Sequence, residues 1–173
     1  KIPIPVGNAI GGGLHSHNKN APEFQEFLII PKAKTAKENH AIMKSTYSKL
    51  KLILRAKEKN DEGAWQTSLS NEKILEILSQ FKNIKIGIDV AASSFYKNGN
   101  YFYNNETVDR NFQIFFINSL IKKFNLLYIE DPLHEEDFSG FGKIIRSSSH
   151  LVIGDDLTAT QIIRLQKAIS SRA

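Results

Sequence analysis

Residues 84–89 read Ile-Lys-Ile-Gly-Ile-Asp, a short run of branched apolar residues that ends in a carboxylate. The pattern occurs twice more, as Leu-Leu-Tyr-Ile-Glu-Asp-Pro at residues 126–132 and as Leu-Val-Ile-Gly-Asp-Asp at residues 151–156. Apolar runs of this length are typical of strands that are buried on both faces of a parallel sheet. Helix-length sequence separates the three runs, so strands and helices alternate through right-handed crossovers. The pattern therefore predicts an α/β fold.

The same three runs place acidic residues where such folds bind ligands. Asp89, Glu130 and Asp155 each follow the apolar part of a run, at the carboxyl end of a predicted strand. Taken singly, each acid also suits the cap of a following helix, and the adjacent Asp131 and Asp156 suit a supporting or capping role. Three converging carboxylates repel one another unless a cation lies between them, and an all-oxygen site favours Mg²⁺ over zinc or copper. Asp89, Glu130 and Asp155 are therefore the predicted magnesium ligands.

Composition narrows the class of protein. The 173 residues are 41% hydrophobic and 24% charged, which suits one globular domain but is short for a complete (β/α)₈ barrel of about 250 residues. No apolar run approaches the roughly 20 residues of a membrane span. The absence of cysteine excludes disulfides and thiolate metal sites and fits the cytosol. The net charge of +5 is scattered along the predicted helices, so we expect no specific nucleic-acid partner.

The first half of the chain contains two predicted helices and one further strand. Residues 5–22 are rich in Gly, Asn and Pro and predict a long loop, whereas residues 23–31 predict a strand that ends at a proline. A helix is expected from about residue 36 to residue 57. Ser70 then suits the N-cap of a second helix, although Lys73 stands where a capping-box Glu would be.

In the second half, the helices and turns are predicted by their capping signals. Residues 97–100, Lys-Asn-Gly-Asn, indicate a tight hairpin turn. Thr107 is the predicted N-cap of the next helix, and residues 138–148 predict another. A last helix is expected to start at Thr158 or Thr160 and to run to the end of the sequence.

Several segments together resemble one family, the enolases (phosphopyruvate hydratases). Residues 87–96, 128–138 and 154–158 resemble the segments around the three metal ligands of that family. Gln25-Glu26-Phe27 and Asp61-Glu62-Gly63 resemble two further motifs, and residues 4–13 resemble the start of the family's barrel domain. Each motif is weak alone, but they occur in the same order over nearly the whole chain. The resemblance implies a partial TIM-type (β/α) barrel of the enolase family, incomplete at both ends, with residues 1–173 in the C-terminal barrel domain and with the small N-terminal domain and the last barrel strands absent.

The resemblance also implies an activity. Enolases catalyse the Mg²⁺-dependent, reversible dehydration of 2-phosphoglycerate to phosphoenolpyruvate in glycolysis, in the cytoplasm and as homodimers or larger oligomers. Asp89, Glu130 and Asp155 would hold Mg²⁺, and Glu130 and Asp155 would also lie against the substrate. Glu26 and Glu62 would lie beside the C3 hydroxyl, with Glu62 as the general acid, because two neighbouring carboxyls raise one pKa. The family's base is a lysine on a later strand that would follow residue 173, so the isolated 173 residues are expected to show no turnover.

The histidine of the family's mobile glycine loop has two candidates, His15 and His17. Counting forward from Gly13 selects His15, whereas counting back from Gln25 selects His17. Residues 15–18, His-Ser-His-Asn, are similar to the family's His-Ala-Gly-Asn, which favours His15. The other three histidines, His40, His134 and His150, are expected to be surface residues.

Some positions depart from the family pattern and keep other functions open. Asn60 and Ala64 replace glycines that flank the Asp-Glu-Gly motif, and loss of glycine could constrain the loop that carries Glu62. Ser94 stands where Glu is usual, and Gln161 where Asn is usual. A diverged, non-catalytic enolase-like binding protein is therefore the alternative. Another enolising enzyme of the superfamily is disfavoured by the Glu26 and Glu62 motifs, and a basic nucleic-acid-binding module is least favoured.

Overall fold

A computed structural model describes residues 3–173, which form two compact units that meet after Ile88. The elements of the first unit are β1 (Gly7–Gly11), β2 (Glu26–Pro31), α1 (Ala36–Leu54), β3 (Trp65–Gln66), α2 (Asn71–Ser79) and β4 (Ile84–Asp89), whose last residue belongs to the second unit. The strands lie in the order β3-β1-β2-β4. β1 is antiparallel to β2 and parallel to β3.

The glycine-rich segment contains a strand, and the prediction of a loop over residues 5–22 was wrong there. Gly7–Gly11 forms β1, with Ala9 and Ile10 completely buried and with a register shift between Asn8 and Ile10. Pairing with β2 and β3 supplies hydrogen bonds that outweigh the low strand propensity of Gly and Asn. This strand carries Asn8 and Gly11, which both border the candidate site described below.

The helices of the first unit follow their capping signals. α1 begins at a capping box in which Thr35 and Glu38 bond each other's backbone, and it ends at Leu54, three residues before the predicted end, because Arg55 adopts a left-handed conformation. The Ser70 side chain accepts a hydrogen bond from the backbone of Lys73, which confirms Ser70 as the N-cap of α2. The core contains Ile10, Phe24, Phe27, Leu50, Ile74 and Leu78.

The second unit continues the strand–helix alternation and confirms the parallel pairing, since β8 (Tyr128–Glu130) and β9 (Leu151–Ile153) are parallel with Glu130 opposite Ile153. The predicted turn at residues 97–100 is also confirmed: Asn98 and Gly99 both have positive φ, as a two-residue hairpin of type I′ requires. The elements are β5 (Tyr96–Lys97), β6 (Asn100–Phe102), β7 (Thr107–Asp109), α3 (Arg110–Phe124), β8 (Tyr128–Glu130), α4 (Phe138–Ser147), β9 (Leu151–Ile153) and α5 (Ile162–Ser171).

Three local predictions for the second unit were wrong. Thr107 lies in β7, and Asp109 caps α3 by accepting a hydrogen bond from the backbone of Phe112 at 2.8 Å. The last helix begins at Ile162, because residues 155–160 form turns instead of a helical start. The third apolar run is not buried on both faces: β9 pairs with β8 alone among the described strands, and Leu151 is 63% exposed.

No helix in the described part of the chain is both long and apolar enough to cross a membrane.

Candidate active site

Two carboxylates of the first unit are joined by one amide. Glu26 is the first residue of β2, and Glu62 lies in the loop between α1 and β3. The Asn8 side chain donates from Nδ2 to Glu26 Oε1 at 2.9 Å and to Glu62 Oε2 at 3.1 Å. The structure therefore brings together Glu26 and Glu62, the two acids that the sequence motifs singled out, although they are 36 residues apart.

The environment of this pair favours retention of a proton. Burial raises the pKa of Glu26, and the charge and hydrogen bonding of Glu62 raise it further, whereas the hydrogen bond from Asn8 lowers it. A carboxyl whose pKa is raised by burial and by a second carboxyl remains partly protonated at a pH where an exposed Glu is ionised. The pair can therefore store a proton between two oxygens that face each other.

The loop that carries Glu62 is closed by its own residues. Asn60 and Ala64 exchange two hydrogen bonds at 2.9 Å: the Asn60 N–H donates to the Ala64 carbonyl, and Asn60 Oδ1 accepts from the Ala64 N–H. Neither Asn60 nor Ala64 has a positive φ. Within this loop the residue with a positive φ is Gly63, where the family's glycine is retained. The two replaced glycines therefore place no strain on this loop.

A stacked aromatic pair lies beside the same loop. The Tyr47 hydroxyl donates to the Gly63 carbonyl, and the Tyr47 ring stacks on Trp65 at a centroid distance of 4.9 Å. Trp65 in turn donates from Nε1 to the Tyr47 carbonyl at 3.0 Å. α1 and β3 thus hold the loop from one side.

Of the two loop histidines, His15 lies beside the acids. His15 Nδ1 is 3.1 Å from both carboxylate oxygens of Asp61, and Nε2 is 3.8 Å from Glu62 Oε1. The hydrogen bond with Asp61 raises the pKa of His15, and the charges of Glu62, Asp61 and Glu26 add to the increase against a smaller opposing effect of burial. His17 is exposed. The structure therefore brings His15 beside Glu62, as counting forward from Gly13 had favoured.

His15, Asp61 and Glu62 also place one ligand atom each within 4.8 Å of one another, and they are the only such set of three or more within residues 3–173. The set differs from the predicted metal ligands. Its members are half-buried or exposed, and the His15–Asp61 ion pair already accounts for their proximity.

The three predicted metal ligands all belong to the second unit and lie at the carboxyl ends of consecutive segments. The backbone of Val90 donates to the Glu130 carbonyl at 3.0 Å, and that of Asp131 donates to the Ile153 carbonyl at 3.0 Å. These bonds align the ends of the segments that carry Asp89, Glu130 and Asp155. Asp89 is buried and Asp155 is exposed.

Asp131 connects the second acid to the third. Its carboxylate is 2% exposed and accepts hydrogen bonds from the backbone of Asp155, Asp156 and Leu157 at 3.1, 2.8 and 3.4 Å. Burial raises the pKa of Asp131 to about 6, although these amides oppose the increase. Asp131 therefore caps the turn that presents Asp155, a role that the sequence had left open between capping and support.

The donor set suits a hard cation. Asp89, Glu130 and Asp155 offer only oxygen ligands, at one edge of the strands, without the imidazole or thiolate that zinc prefers. Their ligand atoms do not all lie within 4.8 Å of one another.

Sequence analysis missed Asn8 and Asn60 as site residues. Asn8 lies in the motif at residues 4–13, but only the register of β1 against β2 shows that its side chain reaches Glu26 and Glu62. Asn60 was noted only as a lost glycine. The expectation that all remaining histidines are plain surface residues holds for His40, but His134 stacks on Tyr96 at 4.2 Å and lies 3.3 Å from the hydroxyl of Ser93.

Comparison with known proteins identifies a family for this chain. Residues 1–173 match the family model for the enolase C-terminal TIM barrel domain. The chain is similar to the enolases of Archaeoglobus fulgidus (36% identity over 98% of this chain), Pyrobaculum aerophilum (39% over 96%) and Methanocorpusculum labreanum (37% over 100%). It spans about half the length of these relatives, namely 45%, 44% and 48%.

The alternation of strands and helices agrees with a match over the full 173 residues. The chain therefore belongs to the enolase family and has the fold of a partial TIM-type barrel from the C-terminal domain of that family.

Proposed function

We propose that this chain supplies part of the active site of an enolase, which interconverts 2-phosphoglycerate and phosphoenolpyruvate in cytoplasmic glycolysis. The observation that carries the proposal is the contact of Asn8 with both Glu26 and Glu62. Dehydration requires a proton for the departing hydroxyl, and a bridged pair of carboxyls can deliver one. The names of the relatives support the same activity.

The residues of the first unit would act on the leaving group. Glu62 would donate its proton to the C3 hydroxyl, which then leaves as water, and Glu26 would hold that hydroxyl by a hydrogen bond. His15, whose pKa is raised by Asp61, would present positive charge to the anionic substrate. His17 is the second candidate for this contact, and its exposure makes it the weaker one.

The residues of the second unit would bind the metal. Asp89, Glu130 and Asp155 would hold Mg²⁺, which when bound supplies positive charge opposite the substrate carboxylate. Glu130 and Asp155 would also line the substrate site, and Asp131 would keep the turn with Asp155 in place. In the whole protein we expect a homodimer or larger oligomer, without membrane or specific nucleic-acid partners.

The proposal is tested by an activity assay of the whole protein that the gene encodes. Phosphoenolpyruvate formation from 2-phosphoglycerate is followed by absorbance at 240 nm in the presence of Mg²⁺. We expect turnover that EDTA abolishes and that Glu62→Gln lowers by at least about 100-fold, whereas His40→Gln on the exposed face of α1 leaves it unchanged. A folded, Mg²⁺-loaded protein without turnover would contradict the proposal.

The alternative of a non-catalytic enolase-like binding protein was suggested by the altered Glu62 loop. The contact of Glu62 with Asn8 and the unstrained closure of the loop around Asn60 and Ala64 favour the enzyme over that alternative.

A further inference from the structure

We propose that Asn60 is a positioning residue for Glu62: its side-chain amide fixes one carboxylate oxygen and thereby sets the direction of the other. This inference rests on the proposed role of Glu62. The enolase pattern usually has glycine at position 60, so the amide is a device of this chain and not of the family motif.

The contacts of Asn60 define which side-chain atom faces Glu62. The Ala64 N–H can only donate, so the atom 2.9 Å from it must be Oδ1. Nδ2 then faces Glu62 Oε2 at 3.3 Å. Asn60 is 6% exposed, so its amide has little freedom to exchange this partner for water. The same side chain thus closes the loop with its oxygen and contacts the acid with its nitrogen.

The two oxygens of Glu62 have different surroundings as a result. Oε2 accepts from two amides, Asn8 Nδ2 at 3.1 Å and Asn60 Nδ2 at 3.3 Å. Oε1 has His15 Nε2 at 3.8 Å. The two N–H donors hold Oε2 in place. The orientation of the carboxylate, and with it the direction in which Oε1 points, therefore depends on both amides.

Strand β1 leaves room for this amide. A Cβ atom on Gly11 would lie 2.2 Å from Asn60 Nδ2 and 2.8 Å from its Cγ. The absence of a side chain at position 11 is therefore necessary for Asn60 to occupy its place, and Gly11 and Asn60 form a matched pair across β1 and the loop.

The direct test is a pH titration of the side-chain amides of the ¹⁵N-labelled chain by NMR. The Asn60 Nδ2 protons should shift with the same midpoint as the Glu62 carboxyl carbon, and Glu62→Gln should remove that shift. Asn71, which donates to Glu23 at 2.8 Å in the same unit, is the matched control and should keep its own pH response in Glu62→Gln. An Asn60 amide that does not respond to pH, or that still titrates in Glu62→Gln, overturns the proposal. The wild-type titration alone decides the question if Glu62→Gln does not fold.

A kinetic test separates positioning from loop closure. Asn60→Asp keeps an oxygen to accept from the Ala64 N–H but replaces the donor that faces Glu62. In the protein as its gene encodes it, we expect kcat to fall at least about tenfold with KM changed less than twofold and with the protein still folded at the assay temperature, because Glu62 is no longer held in the orientation from which it acts on the leaving group. Unchanged kcat overturns the proposal. Absence of turnover in the wild type would refute the proposed function alone, since the NMR titration requires no activity.

Discussion

At the scale of single residues, two neutral amides bond the two acids of the first unit, and the basic side chain of His15 lies farther away, 3.8 Å from Glu62 Oε1. Asn8 bridges Glu26 and Glu62, and Asn60 contacts Glu62, so the pair is held in place without full neutralisation of its charge. A lysine or arginine in the same place would stabilise both carboxylates in the ionised form and would remove the stored proton. The arrangement is suited to acid catalysis and is unfavourable for stability.

Because the paired acids are unfavourable for stability, we expect Glu26→Gln to stabilise the protein at neutral pH. Glu26 has a pKa above its ordinary 4.5 in the folded chain. Between the ordinary pKa of the unfolded chain and the raised pKa of the folded chain, the folded state therefore binds more protons than the unfolded state. Stability therefore falls as the pH rises through this window and remains lower above it. Glu26→Gln should raise the melting temperature at pH 7 by about 2 °C and flatten its dependence on pH above 4.5. Glu23→Gln is the control, and an equal gain from that variant would contradict the explanation.

His15 gives a second prediction at this scale. Since the hydrogen bond with Asp61 is the main cause of its raised pKa, Asp61→Asn should lower the pKa of His15 toward 6.5. The pKa is measured from the ring Cε1–H resonance during a pH titration. Glu58→Gln, which changes an exposed acid of the same loop region, should leave it unaltered. A pKa of His15 that does not respond to Asp61→Asn would show that Asp61 is not its partner in solution.

Sequence reasoning identified the charged members of the site but not the neutral ones. Glu26, Glu62 and His15 stand in motifs whose residue types carry chemistry, so they could be singled out without coordinates. Asn8 acts only through the register of β1 against β2, and Asn60 acts only because Gly11 leaves space for it. Both facts depend on pairing between distant segments, which local sequence does not encode.

At the scale of elements, β1 and the loop at residues 60–64 depend on each other. The loop is closed by Asn60, and Asn60 is admitted by the missing side chain of Gly11 on β1. The prediction of a loop at residues 5–22 failed for the same reason, because Gly and Asn have low strand propensity and only the pairing partners make Gly7–Gly11 a strand. Likewise, Asp109 displaced the predicted cap Thr107 because pairing with β6 extends β7 through Thr107 to Asp109.

The coupling between Gly11 and Asn60 can be measured with a double-mutant cycle. Gly11→Ala alone should cost about 2 kcal/mol of unfolding free energy, because the new Cβ lies 2.2 Å from Asn60 Nδ2. In an Asn60→Ala background the same change should cost at least about 1 kcal/mol less, since the clashing atom is gone. Denaturant unfolding of the four proteins gives the coupling. Additive effects would mean that strain at position 11 arises elsewhere, for instance at Ala64, whose Cβ is 3.2 Å away.

At the scale of the whole molecule, the candidate catalytic residues divide between the two compact units. Glu26, Glu62 and His15 belong to the first unit, whereas Asp89, Glu130 and Asp155 belong to the second. The alternation of strands and helices was predictable, because buried strands and amphipathic helices leave strong periodic signals. The exposure of β9 could not be predicted, because its apolar residues are typical of a buried strand. Whether such a strand is buried depends on how many strands lie beside it, and β9 has one neighbour among the described strands.

Each unit contains one acidic cluster that could bind a cation: His15, Asp61 and Glu62 in the first unit and Asp89, Glu130 and Asp155 in the second. A titration with magnesium distinguishes the two clusters. Mg²⁺ should raise the melting temperature of the protein by mass action, with about 2.7 kcal/mol of stabilisation at a concentration of 100 Kd. Asp89→Asn should abolish that increase while it preserves the fold, because the amide oxygen can still accept the hydrogen bond from Ala91. Asp61→Asn should retain the increase if the strand-end acids of the second unit are the ligands. The opposite pattern, with loss only in Asp61→Asn, would assign the cation to His15, Asp61 and Glu62 and would remove the metal from Asp89. Sodium chloride at equal ionic strength controls for screening of the net charge.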